Sequence, residues 1–193
     1  MALARALPGA PAVRIGIDSA IDADGDELAA RVVQRLSSGA VPAHRLRAGD
    51  FLRPRSLRLE FGRDPAAGYE HWYDVAALRR EALDHLGPGG DGSWLPRLRD
   101  PQTDRSIRVG REQASPRSVI VLDGRFLLRP ELRTSLDLVV HLEVSRPARR
   151  RRAPGDDAPL ALGAWDYYLA VCNPEQMADL VVRFDHPRRP AVR

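Results

Sequence analysis

The 193-residue chain contains no lysine, and all 30 of its Lys-plus-Arg positions are arginine. No ammonium side chain is therefore present to hold a phosphate in a strand–loop–helix nucleotide site. Cysteine is nearly absent too. Cys172 stands alone, which excludes an internal disulfide, fits a reducing cytoplasm and suits a packing role beside an apolar stretch. No apolar run approaches the roughly 18 residues of a membrane span, and Met1–Pro8 lacks the apolar core of an export signal, so neither a membrane nor export is expected. No internal repeat, zinc-ligand spacing or RNA-binding aromatic signature occurs, and aromatics make up only 6% of the chain.

What is present is ordinary in bulk. Apolar residues reach 44% and charged residues 29%, the composition of a globular domain able to bury a substantial core. The net charge of +4 is local rather than spread. Arg146, Arg149, Arg150, Arg151 and Arg152 form one cluster, and Arg188, Arg189 and Arg193 end the chain. Nucleic acid is not an expected partner on that pattern.

Short β-branched runs alternate with helical periodicity. Residues 13–18, 118–122, 138–144 and 180–184 read as buried strands, with a weaker one at 43–46. Residues 26–37, 74–86 and 160–172 read as helices. Such alternation predicts a doubly wound α/β sheet, mostly parallel, with helices on both faces. Gly87-Pro88-Gly89-Gly90-Asp91-Gly92 is a loop, followed by a small hairpin insertion around residues 100–104. The expected organisation is a flexible segment 1–12, one domain over 13–187, and a disordered basic tail over 188–193.

The segment between the first strand and the first helix is the unusual part. Ser19-Ala20-Ile21-Asp22-Ala23-Asp24-Gly25 stands where a glycine-rich phosphate loop ending in Lys-Ser or Lys-Thr would stand. At about 5 Å and an effective dielectric of about 20, each aspartate here repels a phosphate charge by roughly 3 kcal/mol before screening. The same residues have a structural use: Asp26 suits the N-cap of the following helix, and Asp24 and Glu27 favour its positive end. Asp22, Asp24 and Asp26 do not make a calcium loop, because the twelfth position from Asp22 is Val33.

The order of these pieces resembles the bacterial uridine kinase-like proteins of the P-loop nucleoside kinase and phosphoribulokinase group, over roughly residues 13–187. The resemblance is carried by Ile15-Gly16-Ile17-Asp18, by Asp50-Phe51-Leu52-Arg53-Pro54-Arg55 and by Gly62-Arg63-Asp64-Pro65 with Gly68-Tyr69. Leu86–Asp91, Val121–Arg133, Tyr167-Tyr168-Leu169 and Ala178–Val182 extend it. It implies a three-layer P-loop fold and an ATP-dependent nucleoside kinase as the ancestral activity. The working positions, however, have changed. Against G-x-x-x-x-G-K-[ST], Ser19 takes the first glycine, Asp24 the second, Gly25 the lysine and Asp26 the hydroxyl residue. In the family's paired-acid motif Gly49 replaces the first acid and Asp50 remains.

The resulting expectation is a catalytically impaired protein with a degenerate phosphate loop, cytoplasmic, with no cofactor. Its ligand would be nucleoside-like or anionic, or its partner another protein or a second copy of the chain. The alternative is an active nucleoside or small-molecule kinase with Asp50 as base, Asp123 on the magnesium of Mg-ATP, and Arg149 and Arg152 on its phosphates. Arg53, Tyr69, His71, Trp72 and Tyr73 are the candidates for a substrate pocket, and a different reaction without nucleotide in that pocket is a third reading.

Overall fold

Continuous apolar runs make central strands here, and the longest of them occupy the middle of the sheet. A computed structural model describes residues 8–115, 117–153, 155 and 157–193. The chain runs through β1 (Ala12–Ser19), α1 (Asp22–Ser38) and β2 (Ala43–Arg47), then a 3-10 turn at Ala48–Phe51. Two short helices follow, α2 (Arg55–Glu60) and α3 (Pro65–Glu70), before α4 (Val75–Leu78) continues through a π turn, Arg79–Leu83, into α5 (Asp84–Leu86). The insertion contributes β3 (Ser93–Trp94), β4 (Arg99–Asp100), β5 (Arg105–Ser106) and β6 (Glu112–Gln113). The second half comprises β7 (Ser118–Gly124), α6 (Pro130–Arg133), β8 (Leu138–Glu143), α7 (Arg146–Arg152), α8 (Ala158–Cys172), α9 (Pro174–Met177), β9 (Leu180–Arg183) and β10 (Ala191–Val192).

The main sheet has the order β10-β9-β8-β1-β7-β2. Its first five strands in sequence pair parallel, and only β10 is antiparallel, against β9. Because β1 lies between β7 and β8, the connections diverge beside it, and their carboxyl ends open the crevice where α/β sheets hold ligands. Two apolar layers cover the faces. One joins Leu46, Ile120, Leu122 and Val139 to Leu83, Leu86, Trp165 and Tyr168; the other joins Ile17, Val121 and Leu142 to Ala29. Gly16 keeps the first layer tight, since a Cβ there would lie 2.9 Å from Leu136 Cδ1. A buried bidentate pair, Arg14 with Asp137, fixes the amino end of β1.

The expected α/β architecture is thus the observed one, with three differences. The insertion is a nested ribbon rather than one hairpin: β4 pairs with β5 around the 100–104 turn, and β3 pairs with β6 outside it. The tail expected to be disordered turns back to form β10, and Arg193 reaches Glu175 and Glu143. An exposed edge strand offers unpaired backbone groups, which Ala191 and Val192 satisfy. Of the expected flexible start, residues 1–7 lie outside the described residues, whereas Ala12 is buried within β1. No helix among the described residues is long and apolar enough to cross a membrane.

Candidate functional site

The carboxyl ends of β1, β7 and β2 converge on a cleft of about 600 Å³, lined by Asp22, Asp26, Arg47, Asp50, Tyr73, Arg97 and Asp123 among others. Its geometry begins with the turn after β1. The first helix was expected from residue 26, but α1 begins at Asp22, so only Ala20 and Ile21 connect strand to helix. Ser19 closes this turn: its hydroxyl donates to the Ile21 carbonyl at 2.9 Å and accepts from the Ile21 N–H at 3.2 Å. The N–H groups of Asp24 and Gly25 both donate to the Ile21 carbonyl. Both backbone donors are used within the turn and the first helical turn itself.

Early helix formation also changes what the aspartates do. Asp26 is not the N-cap; that position is Ile21, which makes no side-chain capping bond. Asp22 and Asp24 occupy the first turn, where negative charge meets the positive end of the helix dipole. Each aspartate has a guanidinium. Arg125 holds Asp22 through two bonds, at 2.9 and 2.7 Å. Arg152 lies 2.8 Å from Asp24. Asp26 receives Arg45 at 2.6 Å and Arg47 at 3.0 Å. Arg45 also forks onto both oxygens of Asp123, at 2.6 and 2.8 Å.

Burial and charge pull these carboxyls in different directions. Arg45 holds Asp26 below the usual carboxylate range. Burial pushes Asp24 and Asp123 upward, with Arg152 and Arg45 respectively acting against it. Asp50, only 7% exposed, is likewise raised by burial and faces Arg97 at a loose 3.5 Å. Gly124 lets β7 end against the 3-10 turn, because a Cβ there would stand 2.5 Å from that of Ala48. That close approach is what brings Asp50 and Asp123 to the same cleft.

The structure gathers Asp22, Asp26, Asp50, Tyr73 and Asp123 at the cleft. Ser19 is fully buried beneath it, Gly25 packs against Ser19 and Asp123, and Asp24 turns aside to Arg152. Five other candidates sit elsewhere. Tyr69 is buried against Phe126 and Tyr168, with its hydroxyl 3.0 Å from Cys172 Sγ. His71 stacks on Phe61, Arg53 lies over the same ring, and Trp72 carries the guanidinium of Arg58. Arg149 is paired with Asp166 on α8, away from the loop. The residues that sequence reasoning missed are Arg45, Arg47, Arg97 and Arg125. An available signal was Arg45 and Arg47 alternating on β2, since arginine is uncommon in a strand of a covered sheet.

These residues do not fit a magnesium triphosphate. Both oxygens of Asp123 are bound by Arg45, and no lysine exists in the chain. No protein-family model matches the chain, and no curated protein does. Solved structures do. A possible uridine kinase from Bacillus stearothermophilus superposes with a TM-score of 0.72 at 24% identity, covering 91% of each chain. The chain has a uridine kinase-like fold.

A candidate fructose transport system kinase from Silicibacter sp. TM1040 shares that fold at a TM-score of 0.60 and 22% identity, covering 89% of this chain and 87% of its own. The YGR205w protein does so at 0.56 and 9% identity, with 94% and 89% covered.

Proposed function

We propose that this chain is a catalytically impaired uridine kinase-like protein that works as a binding or regulatory module in the cytoplasm. The observation that carries this reading is the internal pairing at the loop. Asp22, Asp24 and Asp26 each engage arginine, so protein carboxylates stand where phosphate oxygens would. The apo state is thereby neutralised from within, and an incoming triphosphate must displace carboxylates that remain tethered nearby. Phosphoryl transfer depends on positioning and charge neutralisation, which this arrangement directs to its own side chains. The ligand or partner that remains is a nucleoside-like or anionic small molecule, or another protein.

Calorimetric titration with Mg-ATP, uridine and cytidine tests it. The expected result is no saturable heat from Mg-ATP; micromolar affinity abolished by Asp123→Ala would overturn the proposal. The triple variant Asp24→Gly, Gly25→Lys, Asp26→Thr rebuilds the family's residues. It is expected not to recover nucleotide, because only Ala20 and Ile21 span the connection. A second reading, an active small-molecule kinase, is favoured by one observation: Asp50 is buried, its pKa is raised by that burial, and it is set in the cleft as a base would be. The same titration separates the two.

A further inference from the structure

A second cavity, of about 410 Å³, opens between α7 and α8 on a different side of α7 from the phosphate-loop turn. Arg152 leaves α7 toward Asp24, whereas Arg146, Arg149 and Arg150 turn toward α8 and line this cavity. Among the described lining residues the one carboxylate is Asp166. Asp166 serves two guanidiniums, Arg149 at 2.8 Å and Arg146 at 3.3 Å. Arg149 is 5% exposed, and its Nε has no hydrogen-bond partner among the described residues. Arg146 and Arg150 are exposed on the cavity wall, and each guanidinium carries five donors that can meet an external acceptor.

The opposite wall adds to the same field. Ala158 and Pro159, from the first turn of the 15-residue α8, line the cavity, and the Asp157 N-cap makes no side-chain capping bond. The positive end of the helix dipole therefore faces the arginines with no side-chain cap of its own. Leu162 and Gly163 complete an apolar flank. We infer that this cavity binds a small organic phosphate: Arg146, Arg149 and Arg150 hold the dianion, and Ala158, Pro159 and Leu162 cover its apolar body. The size suits a small ligand, and forked guanidinium donors match phosphate geometry. This inference is independent of the nucleotide question, because none of these residues lines the cleft.

Titration of the full chain with phenyl phosphate and with inorganic phosphate, at constant ionic strength, tests it. Phenyl phosphate is expected to bind saturably and several-fold more tightly than inorganic phosphate. The double variant Arg146→Ala, Arg150→Ala alters two exposed side chains, so its melting temperature should hold while its affinity for phenyl phosphate falls at least about tenfold. Arg31→Ala, an exposed arginine on α1, should leave the affinity within about twofold if the effect is not merely one of net charge. The inference fails if neither probe saturates, if the double variant binds as the parent does, or if Arg31→Ala weakens binding equally. A nucleotide site in the cleft would respond to Asp123→Ala and not to Arg146 and Arg150, so the two readings fail separately.

Discussion

Arginine meets aspartate at both the cleft and the α7–α8 cavity, but in opposite proportions. At the cleft and the turn beside it, Asp22, Asp24, Asp26 and Asp123 are each held by Arg125, Arg152, Arg45 or Arg47. At the cavity, Arg146, Arg149 and Arg150 face one carboxylate, Asp166, among the described lining residues. The first region supplies its own anions, and the second has positive charge to spare. Counting basic residues in the sequence does not distinguish them, because both lie in arginine-rich stretches. The ratio of partners decides which region has room for an external anion.

The sharpest way to break the comparison is to unbalance the cleft. Arg45→Ala removes the guanidinium shared by Asp26 and Asp123 and leaves the buried Asp123 carboxylate without its fork. Loss of one partner of a buried pair is costly because the other charge stays desolvated, and partial exposure of Arg45 moderates this to roughly 2–3 kcal/mol. Urea denaturation should show that loss, with Asp123→Asn in the same background restoring part of it. A variant as stable as the parent would mean that the pairs contribute nothing to the apo fold.

A smaller effect sharpens the cavity side. Asp166→Asn releases Arg146 and Arg149 from their common carboxylate, so the affinity for phenyl phosphate should rise about three- to tenfold, since charge-assisted bonds of this kind are worth about 1 kcal/mol or more. Unchanged or weaker binding would show that Asp166 orients the arginines rather than competing for them.

Much of the sheet was legible because the physics is local. Val119-Ile120-Val121-Leu122 has no polar residue to place on either face, so it reads as a central strand before any partner is known. The start of α1 was not legible, since capping preference pointed to Asp26 while a local turn closed by Ser19 and Ile21 let the helix begin at Asp22. His71, Trp72 and Tyr73 look like one aromatic patch, yet they divide between Phe61, Arg58 and the cleft. The Arg45–Asp123 fork spans 78 positions, and it exists only because β2 pairs with β7. Beyond that, Ala191 and Val192 read as tail because nothing in two residues reveals an available strand edge.

Of the buried cleft carboxylates Asp50 and Asp123, Asp50 has the looser guanidinium contact, and it provides the finest test of the balance. Burial raises its pKa, and the Arg97 contact at 3.5 Å does not reverse that. The folded protein therefore holds this proton more tightly than the unfolded chain. Asp50 contributes stability at low pH, where it is protonated, and that contribution is lost as pH rises through the folded-state value. Asp50→Asn keeps the shape and removes the buried charge, so at pH 7 the variant should be more stable, by under about 1 kcal/mol. The difference should shrink toward zero as the pH falls below the ordinary carboxylate range, where the parent is neutral as well. Denaturation midpoints of both proteins between pH 3 and pH 8 would show it. A variant less stable at pH 7 would mean that Arg47 and Arg97 hold Asp50 as firmly as Arg45 holds Asp123, and the cleft would then be saturated throughout.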